Sequence, residues 1–294
     1  MGGAVVSPRI LVVGDVIDDI VVIPSGPIRV DTDTPSAIRR VPGGSAANTA
    51  AWLASLGAAV SFVGCVNAAD VERHTALLPG VDVHLTASDA PTGTIVILVD
   101  GEHRSMLTER GANAELDLDD IPDALIGDHV HLTGHTMAAS DGSGFARFIA
   151  RAKSVGATVS VSPGSAAYIA DLGAERFTEV IAGADVLFVS LAEGVALTAA
   201  DRPAEVAEVA EALGFGTVVL TLGRDGVLVD GHPVPAVLTE VVDPTGAGDA
   251  LCAGFLASWV RDGDALAAAR RGAEVAARAV GVVGGRPPRG VSAS

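Results

Sequence analysis

The segment Val241–Trp259, VVDPTGAGDALCAGFLASW, gathers the residue types that can handle a negatively charged group in motion. Val-Val reads as a strand end and Pro-Thr-Gly-Ala-Gly as a turn. A helix follows, with Leu251, Phe255 and Trp259 at i, i+4 and i+8. Glycines at 246 and 248 let the backbone come close to a ligand. The amides of Gly246, Ala247, Gly248 and Asp249 are expected to point out of the helix start, with the partial positive charge of the macrodipole behind them. Such a nest is an anion hole suited to charge developing on a transferred phosphoryl group. Asp249, in the first turn beside it, is placed to take a proton from a hydroxyl attacking phosphorus. Taken alone, a GxGD string is also open to an aspartate that merely favours a helix N-terminus.

Other routes to phosphate chemistry are closed. Lys153 is the sole lysine and follows Ala152, so neither a GxxxxGKS/T loop nor a V-A-I-K lysine exists. GxGxxG, GxSxG and HExxH are absent as well. Any nucleotide must be held by backbone amides, arginines and a metal ion.

The elements that must position these groups follow from the pattern. Short β-branched runs at Ile10–Val13, Val60–Val63, Val130–Leu132, Thr158–Val161, Val186–Val189 and Thr217–Thr221 predict strands. Ala-rich amphipathic stretches at Ser45–Leu56, Asp70–Leu78, Gly144–Ser154, Glu205–Leu213, Ala247–Val260 and Asp264–Val280 predict helices. Alternation of the two argues for an α/β chain, a largely parallel sheet with helices on both faces. Two stretches break the rhythm. Residues 16–41 are rich in Pro, Asp and Thr, and 92–108 reads as a hairpin turning at Gly101. Together they predict a small β lid over the site.

Composition bounds the partners. The chain has 294 residues, 49% of them hydrophobic and 3% aromatic, so one domain with a core of Ala, Val and Leu is expected over 1–294. A net charge of −17 repels phosphate backbones and argues against a nucleic-acid partner. Cys65 and Cys252 lie far apart in apolar stretches, which fits buried thiols and a cytoplasmic location. No signal peptide is expected at the start. The most membrane-like window, Ala46–Val66, is interrupted by Asn48, Thr49, Ser55, Gly57 and Ser61, so no membrane span is expected.

DPTGAGD closely resembles the second signature of the ribokinase-like, PfkB-type carbohydrate kinases, D-T-x-G-A-G-D. PGGSAANTAAWLASLG (Pro42–Gly57) resembles their first signature, and similarity continues in GDVIDD (Gly14–Asp19), GAN (Gly111–Asn113), TLGRDG (Thr221–Gly226) and VGGRPP (Val283–Pro288). The resemblance implies a three-layer α/β/α fold with a mostly parallel central sheet and a small β lid. It implies an ATP-dependent phosphotransferase acting on a hydroxyl, usually a primary alcohol, of a sugar or ribonucleoside. A pseudouridine or other nucleoside kinase, or a homologue that binds ligand but has lost turnover, are the alternatives.

Carried over by position, the resemblance implies Asp249 as the base, with Gly246, Ala247 and Gly248 as the anion hole. It places Gly43, Gly44, Asn48 and Asp19 on the sugar diol, assisted by Asp15, and Arg110 on a phosphate. An alternative for Arg110 is a pair with a surface acid. Asp18 is read as a solvated acid. Ser190, Thr221, Gly223 and Gly226 fall on the nucleotide side, although TLGRDG by itself reads as a hairpin turn. Glu193 organises Mg²⁺ through water in the family, and Asp243 and Thr245 match positions that offer oxygens to a monovalent cation such as K⁺. Ser190 departs from the usual Asn, and Ser162 from an Asp. Ser45 stands where ribokinases often carry Lys. The resemblance also implies a small-molecule substrate and offers the lid as a surface for homodimer formation through β contacts, as in some relatives.

Three further features have local readings. His129 and His131 share a strand face and are read as partly buried polar residues rather than a metal pair. His135 follows a strand and a glycine, where a substrate-selecting side chain fits. The acidic run 117–123 is read as a solvated helix entry, and Arg270 and Arg271 as surface decoration.

Overall fold

A parallel sheet whose strands are buried on both faces needs helices on each, and the β-branched runs and Ala-rich stretches supply both. The computed structural model describes residues 7–100, 103–134 and 142–288. Its larger sheet has nine strands. Seven run parallel: β1 (Arg9–Val13), β4 (Ala59–Asn67), β5 (Asp82–Ser88), β8 (His129–Thr133), β9 (Thr158–Ser162), β10 (Val186–Ser190) and β11 (Thr217–Thr221). An antiparallel edge follows, β12 (Val227–Val229) and β13 (His232–Val234). The order is β13-β12-β11-β10-β9-β8-β1-β4-β5. From β1 the chain first builds outward through β4 and β5, then returns to β8 and builds the other way. The order reverses between β1 and β8, and open α/β sheets bind ligands at the carboxyl ends beside such a point.

The smaller sheet joins β2 (Ile17–Pro24), β3 (Ser36–Gly43), β6 (Gly93–Asp100) and β7 (His103–Glu109) in the order β3-β2-β6-β7. Both irregular stretches of the sequence therefore meet in one layer. It begins directly beyond the carboxyl end of β1, so the chain between Gly14 and Ile17 is the hinge between the sheets.

Period-2 alternation divides the core. Leu11 and Val13 face one cluster with Phe145, Phe148 and Val206, while Ile10 and Val12 face another with Trp52, Phe255 and Val275. Helices α3 (Ser143–Ser154), α4 (Ala166–Leu172), α5 (Ala174–Val180), α6 (Leu191–Thr198) and α7 (Pro203–Ala212) cover the first face. Helices α1 (Ser45–Ser55), α8 (Ala247–Asp262) and α9 (Ala265–Val280) cover the second. The run predicted as a helix over 70–78 forms a shorter α2, Val71–Ala76, behind a 3₁₀ turn. The acidic run 117–123 makes two 3₁₀ turns rather than a helix entry. Two of its acids are paired rather than merely solvated, Asp119 with Arg147 and Asp123 with Arg151. No helix of the described residues is long and apolar enough to cross a membrane.

Helix α1 shows how the site is anchored. Its N-cap position is Gly44, at φ 93°, which offers no side-chain cap. A Cβ there would lie 2.4 Å from the carbonyl oxygen of Asp15. The cap comes from thirty positions upstream: the Asp15 carboxylate accepts the amides of Ser45 at 2.8 Å and Ala46 at 3.1 Å. The Thr133 hydroxyl at the end of β8 donates to the same group at 2.9 Å. Asp15 thus pins α1 across the point of strand reversal. Replacing Asp15 by Ala removes the acceptor of three donors, two of them buried, and is expected to cost about 3 kcal/mol of stability, measured by urea denaturation.

Candidate active site

The first turn of α8 is the centre of the site. Gly246, at φ 75°, lets the chain enter the helix from a left-handed residue, and it packs so tightly on the C-terminal segment that a Cβ would lie 2.4 Å from Cα of Gly285. One part of the expected anion hole is corrected: the Ala247 amide turns back to the Pro244 carbonyl at 3.3 Å. The Gly248 amide meets no acceptor among the described residues, and Gly248 lines a polar cavity of about 210 Å³ together with Asp249, Ser45, Thr49, Ser190 and Glu193.

The Asp249 carboxylate is held from both sides by α1. Ser45 Oγ donates to Oδ1 at 2.6 Å, and Asn48 Nδ2 donates to Oδ2 at 2.9 Å. The Ser45 contact was not foreseen. The only available signal was its place directly after the di-glycine. Asn48 is buried and is itself oriented from behind, where Arg286 Nε donates to Oδ1 at 3.2 Å.

The acidic segment at the hinge sorts into three fates. Asp15 caps α1. Asp18 is not solvated; it is buried and receives a two-pronged guanidinium bond from Arg73, at 2.8 and 2.7 Å. Paired with Asp18, the guanidinium of Arg73 is held above its usual pKa. Asp19 faces the site: a Cβ on Gly43 would lie 2.2 Å from its Oδ2, so only a glycine leaves that carboxyl room. Burial, then the nearby charges of Asp15 and Asp249, push the Asp19 pKa up to about 7, against the pull of Arg286. Asn113 of the GAN string fixes this segment, accepting the Val16 amide at 2.8 Å and donating to the Val16 carbonyl at 2.9 Å.

On the nucleotide side, Thr221 and Ser190 line the polar cavity. Gly223 and Gly226 line a neighbouring, largely apolar cavity of about 380 Å³, with Val227, Val241, Ala247 and Ala276. The TLGRDG turn therefore runs between two cavities that flank the first turn of α8. Ser190 and Glu193 form a capping box on α6: Glu193 Oε2 accepts the Ser190 amide at 2.7 Å and its hydroxyl at 2.8 Å. The S-x-x-E spacing carries that signal in the sequence. Asp243 ties the approach to α8 against the C-terminal turn, accepting the amides of Thr245 at 2.9 Å and Gly284 at 3.0 Å.

Among the described residues, Arg110 meets no acid. Its guanidinium lies 4.6 Å from the Tyr168 ring centroid, and its Nη1 is buried without a hydrogen-bond acceptor. His129 and His131 are fully buried, and both bond to the Ser160 hydroxyl, at 2.7 and 2.8 Å. Burial drives each to a pKa of about 3, so both are neutral. Cys65 and Cys252 are buried free thiols. His135 lies outside the described residues.

Comparison with known proteins decides the family. The model of the pfkB family carbohydrate kinases matches residues 7–289. The chain belongs to the pfkB family. It is a carbohydrate kinase of the ribokinase-like fold, and its relatives make it an ATP-dependent enzyme acting on sugars or nucleosides. An ATP-dependent ribose-1-phosphate kinase of Halopiger xanaduensis is 34% identical over 243 residues, 77% of this chain and 76% of that one. A nucleoside kinase of Methanothermobacter thermautotrophicus is 28% identical, over 84% of this chain and 81% of its own. Among solved structures, an adenosine kinase from Sinorhizobium meliloti superposes with a TM-score of 0.82 at 24% identity, covering 97% and 98% of the two chains. A probable sugar kinase from Rhizobium etli gives 0.81 at 23%, covering 97% of each.

Asp19 carries a stability signature. Its folded pKa, about 7, exceeds the ordinary 3.8, so between those values the native state holds the extra proton. Its contribution to stability is therefore present at low pH and lost as pH rises from about 4 to 7. Asp19→Asn removes that loss. In urea melts the variant should gain stability relative to the parent as pH is raised from 5 to 8, and a constant difference would contradict the raised pKa.

Proposed function

We propose that this kinase moves the γ-phosphoryl group of ATP onto a hydroxymethyl oxygen of a ribose-like sugar or ribonucleoside, with Asp249 as the base. The observation that carries the reading is the placement of the Asp249 carboxylate in a polar cavity, gripped by Ser45 and Asn48 and one residue beyond the open amide of Gly248. In the step, the acceptor oxygen bonds to the γ-phosphorus and the bond to the β-phosphate oxygen breaks. The hydroxyl proton passes to Asp249, and ADP leaves.

The residues around the cavity support the allotted roles. Gly246 and Gly248 bring backbone to the phosphate, and the apolar cavity beyond Ala247 suits an adenine ring. Asp19, Gly43, Gly44 and Asn48 are the proposed contacts of a vicinal diol: the Asp19 carboxyl lies against Gly43, and Asn48 donates to Asp249. Thr221, Gly223 and Gly226 follow the phosphates from one cavity to the other. A divalent ion, where bound with ATP, would supply neutralisation of phosphate charge. Glu193 suits it, since the capping box uses Oε2 and leaves Oε1 without a partner among the described residues. The small sheet would act as the lid, its hinge beside Asp15. For K⁺, the carboxylate of Asp243 and the loop at Thr245 are the proposed holders, the same groups that join that loop to Gly284.

A second reading concerns the acceptor. The buried, unsatisfied Nη1 of Arg110 favours a substrate that brings its own anion, such as a sugar 1-phosphate, and the Halopiger relative is described as acting on one. Assay of ADP release with ATP and Mg²⁺ over ribose, ribonucleosides and ribose 1-phosphate separates the classes. No ADP with any acceptor, despite measured binding, would support a ligand-binding homologue instead. Asp249→Asn should lower kcat by about 10²–10⁴-fold with little change in substrate affinity, and near-full turnover would refute the base assignment. Arg110→Ala should raise KM about tenfold or more for the phosphorylated acceptor while leaving neutral acceptors near the parent value, the scale of one lost charge-assisted bond.

A further inference from the structure

Arg286, in the VGGRPP string, does more than close the C-terminal turn. Its guanidinium makes a fork of three bonds: Nε to Asn48 Oδ1 at 3.2 Å, Nη2 to the Gly43 carbonyl at 2.9 Å, and Nη1 to the Leu77 carbonyl at 3.1 Å. The segment that carries it is wedged in place. The Gly285 carbonyl accepts Trp52 Nε1 at 2.9 Å, and a Cβ on Gly285 would lie 2.4 Å from Asn48 Nδ2.

We infer that Arg286 is a positioning residue for phosphoryl transfer, which orients the Asn48 amide toward Asp249 and brings a fixed positive charge to the acidic cluster around it. Guanidinium has donors and no acceptors, so it selects the oxygen end of the Asn48 amide. The nitrogen end is thereby turned to Asp249 Oδ2, where it donates at 2.9 Å. An Asn48 flipped the other way would set oxygen against oxygen.

The second part of the role is electrostatic. Asp15 and Asp19 from the hinge and Asp249 from α8 lie close enough to act on one another, with Asp18 behind them. Arg73 of α2 is spent on Asp18. His74, buried with its Nε2 3.7 Å from Asp18, is held by burial near pKa 4 and is neutral. The Cys252 thiol next to Asp249 is pushed well up by burial and stays protonated. Among the described residues, Arg286 is the further cation whose charge acts on Asp19, Asp18, Asp15 and Asp249. Burial lowers it to about 10, against the pull of Asp19, Asp18, Asp15 and Asp249, so it stays charged at neutral pH.

This inference rests on Asp249 as the base, and the experiment separates the two. The pH profile of kcat is measured for the parent, Arg286→Gln, Arg286→Lys and Asp249→Asn, each checked by thermal melting. Arg286→Gln should lose about 10–100-fold in kcat at pH 7 and move the acid limb up by about one pH unit, the effect of removing a neighbouring opposite charge. Arg286→Lys, which keeps the charge but not the fork, should leave the limb in place and still lose about tenfold in kcat. A folded Gln variant with an unmoved limb, or a Lys variant with full kcat, overturns the inference. If Gln prevents folding, the Lys variant decides alone: reduced kcat with the parental limb and melting point supports it. Full turnover by Asp249→Asn would instead remove the base assignment itself.

Discussion

Four carboxylates converge where β1 ends, and the fold has to satisfy each of them out of bulk water. An unpaired buried carboxylate is too costly to keep ionised, so each acquires a partner or a proton. Asp15 takes the N-terminus of α1 and Asp18 takes Arg73. Asp249 takes Ser45 and Asn48. Asp19 has no such partner among the described residues, and burial together with the charges of Asp15 and Asp249 raises its pKa. The arrangement locks α1, α2, α8 and the C-terminal segment to the hinge of the small sheet. The groups that do chemistry are therefore fixed by the same bonds that fix the fold.

Much of this was legible. Strand and helix alternation named the fold class because burial on two faces forces a period that survives in the sequence. The PTGAGD string named the helix start because glycine, and an acid in the first turn, are local requirements. What escaped was non-local. Asp18 looks like a surface acid until α2 brings Arg73 against it from 55 positions away. The capping role of Asp15 is hidden until the glycine at 44 is seen to leave α1 without a cap of its own. The Ala247 amide looked open because a Pro-Thr-Gly turn does not reveal which carbonyl folds back on it. Ser190 was read as a departure from Asn, yet its spacing to Glu193 spelled a capping box that keeps the glutamate in place.

A net charge of −17 and a single lysine sit uneasily with a protein that handles polyphosphate. The geometry resolves the tension. Backbone amides offer positive potential without a titratable group, and they can be placed within the cavity by glycine alone. Two cavities flank the first turn of α8, the polar one at Asp249 and the apolar one beyond Ala247. A chain of phosphates spanning them would pass the helix start, where amides and macrodipole add. Lysines are unnecessary in that plan, and their absence has a benefit. A flexible ammonium near Asp249 would compete with the acceptor hydroxyl for its oxygens, whereas amides held in the backbone cannot reach around to do so. Arginine is used instead where a fixed fork is required, at Arg73 and Arg286, each holding a set geometry through several bonds. Each fork fixes a carboxylate or its neighbour in place, so the positive charge the site does carry cannot swing onto the oxygens of Asp249.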